Sequence, residues 1–582
     1  MSKIIYVCSR KGPLGPTAEK RLRKIADALV PDNVKTKPES KVRVCGNTGY
    51  SVSMPNGQAH EDGMSVLLGC LFERGQFPWA DIGQDRPDGN YALFRTTENE
   101  IEVATDAAGS RTIWYYFDDD LFIAATSQRA IVMFIGEFAF DDRVIRWMLS
   151  TGSLGPTLSW DRRIKRLQAD SSVRLSRNDW TVSVEERPVV FSEVKRDSRE
   201  HGEALVAATT KTIRSLAPLD FSRWVLTLSG GYDSRAVLYF IHKELGLPPG
   251  LRAVTWGVSD SVGAEGNDAT IARQLALSLG LEHEYHQTDF LSEPVHVVVD
   301  RFLACGEGRI DKIPGYTDGL NMWAEFHRQG VVGIFRGDMG FSHKRFASVI
   351  SGRPMLGCGF CSDFGNLGAI DHSLGICGGQ ELPEVLEKRK SESFDTWRDR
   401  LSHAYRLPSI NAAASDIKYS YVEQINPLLS RAVLDVIRGL PDRLRNNKDV
   451  HKRIVSELGP KVRLGDGDAT APEADILRTQ SFADFLKHEI RSDDTTDLLG
   501  YELMNRISMG LTTVPRRKLS WKRQIKRIGA IVIPEPLKSA LRDRVSKPDI
   551  DPYVLAFRVV IIARMHKMLA ADAQRLRTSA AG

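Results

Sequence analysis

The stretch Leu228-Ser229-Gly230-Gly231-Tyr232-Asp233-Ser234-Arg235 concentrates residue types that can do chemistry at close spacing. Two adjacent glycines permit a main-chain turn tight enough to aim several N–H groups at one anion. Ser229 and Ser234 add hydroxyl donors. A carboxylate at Asp233 would repel a bare phosphate, so its use beside one is to hold Mg²⁺ that bridges phosphate oxygens. The apolar run 224–228 before the turn reads as a buried strand, and 234–245 follows at helical period. A turn between a strand's carboxyl end and a helix N-terminus is where open parallel sheets bind phosphorylated ligands. The Gly-Lys-Ser/Thr ending of a P-loop is absent, so this is a phosphate turn of another kind.

A sheet must position that turn. Residues 252–256 read as the next strand and 268–279 as the next helix, and strand–helix alternation predicts a parallel, doubly wound α/β sheet. Residues 1 to about 190 have a different texture. Short apolar runs at 4–7, 41–45, 91–95, 101–104, 113–117 and 121–125 are separated by turn signals such as Pro87-Asp88-Gly89-Asn90 and Asp118-Asp119-Asp120. They predict a β-rich α+β region, with one helix at 17–30. After about 380 the pattern is nearly all helical. The charged segment 196–203 is the expected boundary, giving regions 1–195 and 196–582.

Composition narrows the class. The chain has 582 residues, 42% hydrophobic and 26% charged, which excludes disordered and low-complexity chains and exceeds what one core usually organises. A net charge of +5 is too small to call for nucleic acid or a membrane as partner. No basic-then-apolar start and no apolar run of roughly 18–20 residues is present. Seven scattered cysteines fit reduced thiols, and the expected location is cytoplasmic.

The 229–234 stretch resembles the Ser-Gly-Gly-x-Asp-Ser loop of ATP pyrophosphatases, and among them the asparagine synthetase and β-lactam synthetase family. Later stretches extend the resemblance in the same order. Glu423-Gln424-Ile425-Asn426-Pro427-Leu428-Leu429 is similar to the family's Glu-x-Arg-x-Pro-Phe-Leu, and the run from Lys448 to Val455 is similar to its Lys-x-x-Leu-Arg helix. The resemblance implies ATP and Mg²⁺ as cofactors. It implies a pyrophosphate grip from Ser229, Gly230, Gly231, Asp233 and Ser234, and main-chain contacts to adenine from Val254, Thr255 and Trp256. A second family loop, roughly Ser-Gly-x-Gly-x-Asp-Glu, falls on 335–342, where Phe341 occupies the register of the magnesium-binding Asp. The metal ligands implied are therefore Asp233 and Asp338. Glu423 and Asp338 are the implied acid–base pair, and Lys452 the implied cation on developing negative charge.

Residues 87–93, 104–111 and 121–126 resemble the family's class II glutaminase domain, which needs an N-terminal Cys nucleophile. Position 2 is Ser, and Cys8 lies inside the first predicted strand. A degenerate domain without glutamine hydrolysis is expected, so the amine must come with the substrate. Members with that property include β-lactam-forming synthetases and the lasso peptide cyclases. The expected activity is macrolactam formation. A precursor peptide's Asp or Glu side chain is adenylated and joined to its N-terminal amine, with a leader-binding protein and a leader protease as expected partners. The alternative is a small-molecule amide ligase.

Two further features stay open. Cys358, Cys361, His372 and Cys377 have spacing that could ligate zinc or could be ordinary loop residues. The basic run 515–527 could hold an acidic peptide or partner, or could be a solvated helix face.

Overall fold

A computed structural model describes residues 2–73, 77–341, 345, 348–371, 379–511 and 547–576. The chain opens with strand Lys3–Ser9, in which every residue but the last is buried. Its alternation explains why. Ile4, Tyr6 and Cys8 enter one core while Ile5 and Val7 enter another. On the first side lies a second antiparallel sheet, contributing Val66, Leu68, Ala92, Phe94 and Val103. On the other side pack helices Pro16–Ala28, Gln128–Ile135 and Val144–Thr151. Both sheets have six strands. The first runs in the order 165–166, 114–117, 121–125, 3–9, 48–53, 41–45, and the second 181–186, 171–176, 100–105, 89–96, 65–71, 59–62. The Asp118–Asp120 run is the expected hairpin turn, with Asp118 Oδ1 accepting from the N–H groups of Asp120 and Leu121, both at 2.8 Å.

The second architecture is a five-stranded sheet, parallel throughout, in the order His283–Gln287, Arg252–Gly257, Trp224–Thr227, Gly333–Phe335, Glu423–Ile425. Val225 and Val254 point into one core, Leu226 and Ala253 into the other, so both faces are covered. Winding reverses at Trp224–Thr227, which has the second strand on one side and the fourth on the other. The turn after this strand therefore opens at the switch point, where such sheets leave a crevice.

Residues from 198 on begin helix Ser198–Ser215, capped by Asp197, whose carboxylate accepts from Arg199 N and Glu200 N while Glu200 returns the bond. At the other end of the chain, helix Pro552–Gln574 is buried on nearly every side. It packs on Gln128–Ile135 and Val144–Thr151, tied by ion pairs Arg129–Asp572 (2.7 Å) and Arg558–Asp311 (2.7 Å). One apolar cluster thus runs from Ile5 to Ala573. Among the described residues no helix is long and apolar enough to cross a membrane.

Candidate active site

The turn after Trp224–Thr227 is held by its own side chains. Ser229 N–H donates to Ser234 Oγ (3.1 Å), and Gly231 N–H to Ser229 Oγ (3.3 Å). Helix Tyr232–Leu245 then starts at Gly231 with no side-chain cap, leaving its first N–H groups for a ligand. Two glycines are demanded by close approach. A Cβ on Gly230 would sit 2.8 Å from Asp268 Oδ1 and 2.9 Å from the Gly465 backbone. One on Gly337 would sit 2.5 Å from Ser234 N. Arg235 fastens the covering segment by donating to Gly230 O (3.3 Å), Val462 O (2.6 Å) and Arg463 O (2.9 Å).

The turn opens into a cleft of about 600 Å³. Ser229, Gly231, Asp233 and Ser234 line one side, Thr255 and Trp256 another, and Asp338 and Lys452 also reach it. Val254 does not. It is fully buried, and its carbonyl accepts from Leu228 N (2.9 Å), so it serves the sheet.

Four carboxylates line the cleft, Asp233, Asp268, Asp338 and Asp468, and of these Asp233 and Asp338 pair with cations. Asp233 Oδ2 accepts from Lys448 Nζ, and its Oδ1, buried and 3.2 Å from His451 Nε2, completes no hydrogen bond. Burial would push this carboxyl up, but His451 and Lys448 outweigh it and bring it down to about 2. Asp338 forms a two-pronged pair with Arg336, both contacts 3.0 Å, and accepts from Asn426 Nδ2 (3.1 Å). Burial opposes its ionisation and Arg336 prevails, holding it below the ordinary carboxylate range. Among the described residues no group of three or more His, Cys, Asp or Glu forms a ready metal cage. The donor set does suit a magnesium that arrives on phosphates, which needs only one or two carboxylates, and Asp233 Oδ1 is an oxygen with capacity to spare. Phe341, which occupies the register of the family's magnesium-binding Asp, is buried with its ring 6.1 Å from the His451 ring.

Two lysines face this cleft one helical turn apart. Lys452 Nζ donates to Asn447 Oδ1 (2.7 Å) and lies 5.6 Å from the Tyr232 ring centroid. Lys448, the first residue of the 448–455 run, lies deeper. It is buried, bonded to Asp233, and on left-handed backbone (φ 58°) directly after Asn447 (φ 56°). Arg336, His451 and Asp268 were missed. The Arg-x-Asp spacing of 336 and 338 was the available signal for the first.

Glu423 is not brought to this cleft. It begins the strand Glu423–Ile425, opposite Gly333, at the amino edge of the sheet, whereas Asn426 just past the other edge reaches Asp338. Its carboxylate pairs with Arg111 and accepts from Ser2 N (3.3 Å), Ser2 Oγ (3.1 Å) and Asn56 Nδ2 (3.2 Å). Arg111, 3.9 Å over the Tyr419 ring, overcomes the cost of burial and holds Glu423 far below its usual range. The site-facing role expected for it is replaced by a place in the contact between the antiparallel and parallel sheets. Ser2, the residue at the nucleophile's position, is fully buried in that contact.

Cys358 and Cys361 are buried thiols donating to Arg353 O (3.5 Å) and Arg146 O (3.4 Å), and burial pushes Cys358 up to about 12. His372, Cys377 and the basic run 515–527 lie outside the described residues. His283 is a supporting residue, its Nε2 2.9 Å from Thr255 Oγ1.

No family model and no curated protein matches the chain. Among solved structures it is similar to an allosteric regulatory enzyme of purine biosynthesis, at 11% identity over 50% of this chain and 82% of that one, TM-score 0.22. Glutamine phosphoribosylpyrophosphate amidotransferase from B. subtilis, complexed with ADP and GMP, is 9% identical over 50% and 83%, TM-score 0.20. U34-tRNA thiolase NcsA from Methanococcus maripaludis, with its 4Fe-4S cluster, is 11% identical over 55% and 88%, TM-score 0.21. At these scores none bears on what this chain does, and the α/β class rests on the sheets themselves.

Proposed function

We propose that the chain is an ATP-dependent, AMP-forming carbon–nitrogen ligase. The observation that carries this reading is the 229–234 turn, with an uncapped helix start and Asp233, opening into the cleft at the sheet's switch point. Its Ser-Gly-Gly-x-Asp-Ser pattern adds the family resemblance. ATP is the co-substrate, with its pyrophosphate on the turn and its adenine beside Thr255 and Trp256. Asp233, with Asp338 near the same cleft, would hold Mg²⁺, which neutralises phosphate charge when bound.

A substrate carboxylate oxygen bonds to the α-phosphorus, and the bond from that phosphorus to the bridging oxygen breaks, releasing pyrophosphate. An amine then bonds to the activated carbonyl carbon, AMP leaves with the oxygen, and the amine proton passes to a base. Lys448 and Lys452 supply positive charge where the phosphates and the carbonyl oxygen gain negative charge. Asp338 is the one member of the expected acid–base pair that lines the cleft. The preferred substrate is a precursor peptide closed into a macrolactam, with a leader-binding protein and a leader protease as partners. The alternative is a small-molecule amide ligase.

The test is incubation with ATP, Mg²⁺ and a candidate peptide carrying an acidic side chain and a free amine. AMP, pyrophosphate and loss of one water from the peptide are expected. Release of ADP and phosphate instead would overturn the adenylation chemistry.

A further inference from the structure

A second cleft of about 500 Å³ shares Asp233, Arg336, Asp338 and Lys448 with the first. Apolar side chains dominate the rest of its lining, among them Ile310, Met339, Phe341, Met355 and Leu356. Arg406, Leu407, Ile410 and Asn411 enter it from one segment, Ser402–Asn411, wound as a π-helix between helices Phe394–Leu401 and Ala412–Tyr419. Ala412 N–H donates to Leu407 O, the five-residue spacing of that winding. π-Turns are rare and recur at functional sites, because the extra residue pushes side chains off the regular helical rows.

Two cations line this cleft away from the shared rim. Lys312 is neutralised by Glu473 (2.6 Å) and Asp311 (3.4 Å). Arg406 has no hydrogen-bond or ion-pair partner among the described residues. Burial pulls its guanidinium below the ordinary arginine range, and no carboxylate offsets that effect. A part-buried guanidinium beside an apolar wall is open to an anion, and its planar fork matches a carboxylate with two parallel bonds. Ammonia or free aspartate would leave the apolar wall uncovered. An apolar peptide segment carrying an acid would satisfy both features.

Resting on the ligase reading, we propose that this second cleft binds the acyl-donating substrate as an apolar peptide segment. A carboxylate other than the reacting one pairs with Arg406.

The test uses dansyl-Leu-Phe-Glu, amidated at its C-terminus, and its Gln counterpart, titrated by fluorescence into the wild type, Arg406→Gln and Arg406→Lys. The acidic peptide should bind the wild type about tenfold more tightly than the neutral one, the worth of one charge-assisted pair. The preference should vanish in Arg406→Gln and partly survive in Arg406→Lys, with circular dichroism unchanged. Equal binding of both peptides, an undiminished preference in Arg406→Gln, or no binding of the acidic peptide at millimolar concentration would each overturn the proposal. ATP binding is measured alongside. A protein that binds ATP without the acid preference sinks only this inference, and one that never binds ATP sinks the ligase reading.

Discussion

Lys448 and Asp233 carry the sharpest predictions at the scale of single residues. Asp233→Asn keeps the shape of the side chain and removes its charge. Magnesium-dependent ATP binding should weaken by about 10–100-fold, read by calorimetry with and without the metal. Lys448→Met removes a buried ammonium and should slow AMP release by about 100-fold or more, with ATP affinity changed far less. Lys452→Met, at the more open position, should do less than Lys448→Met. The 229–234 turn was legible because glycine, serine and aspartate act there through local spacing alone. The choice between Lys448 and Lys452 was not. It depends on the left-handed pair at 447 and 448, which rotates the start of helix Asp449–Leu458 and leaves no mark in residue spacing.

At the scale of elements, the 336–341 loop is set by what it touches. Gly337 packs on the start of helix Tyr232–Leu245, and Gly340 meets His403. Gly337→Ala puts a methyl 2.5 Å from Ser234 N, so it should abolish ATP binding while far-ultraviolet circular dichroism stays native. His403 is fixed as the neutral imidazole. Its Nδ1 accepts from Arg438 Nε (3.3 Å), so Nε2 bears the hydrogen donated to Gly340 O (2.6 Å). Burial, followed by the nearby Arg438 charge, brings it from 6.5 down to about 3. Protonation therefore favours the unfolded chain. This group costs no stability above about pH 6.5 and a growing amount as pH falls from there toward 3. The thermal midpoint of the wild type should fall across that window, and His403→Gln should flatten the fall.

The apolar run at 121–125 and the alternating run at 41–45 were legible as strands, whereas Thr48–Ser53, Ser171–Ser176 and the apolar stretch Ser65–Leu71 were missed. Thr48–Ser53 offers only Tyr50 and Val52 to the inter-sheet core, and Ser171–Ser176 only Val173 and Leu175. Glu423 was misplaced for a related reason. On a three-residue strand, the two ends belong to opposite edges of the sheet, and only the parallel register with Gly333 says which end holds the carboxylate.

Across the whole molecule, polar contacts join the antiparallel sandwich to the parallel sheet. Arg111–Glu423 is one, and Asp170–Arg431 (2.6 Å) is another. Asp88 Oδ1 accepts from Arg431 N (2.7 Å) at the start of helix Arg431–Arg438. Glu423→Ala strands a buried guanidinium and should cost about 3–5 kcal/mol in urea unfolding. Its placement away from the cleft predicts that the folded fraction still binds ATP as the wild type does. An unchanged stability, or a loss of ATP binding in folded protein, would contradict that placement. Because one apolar cluster spans Ile5 to Ala573, calorimetry should show one dominant transition rather than separate melting of two halves.

The burial of Pro552–Gln574 against Gln128–Ile135 and Val144–Thr151 also sets an order of events during synthesis. The two earlier helices leave the ribosome with their apolar faces bare, and the element that covers them emerges only after the entire parallel sheet. A nascent chain in that state is sticky for the length of its own translation, which makes it a natural client for chaperones and favours slow, cool expression.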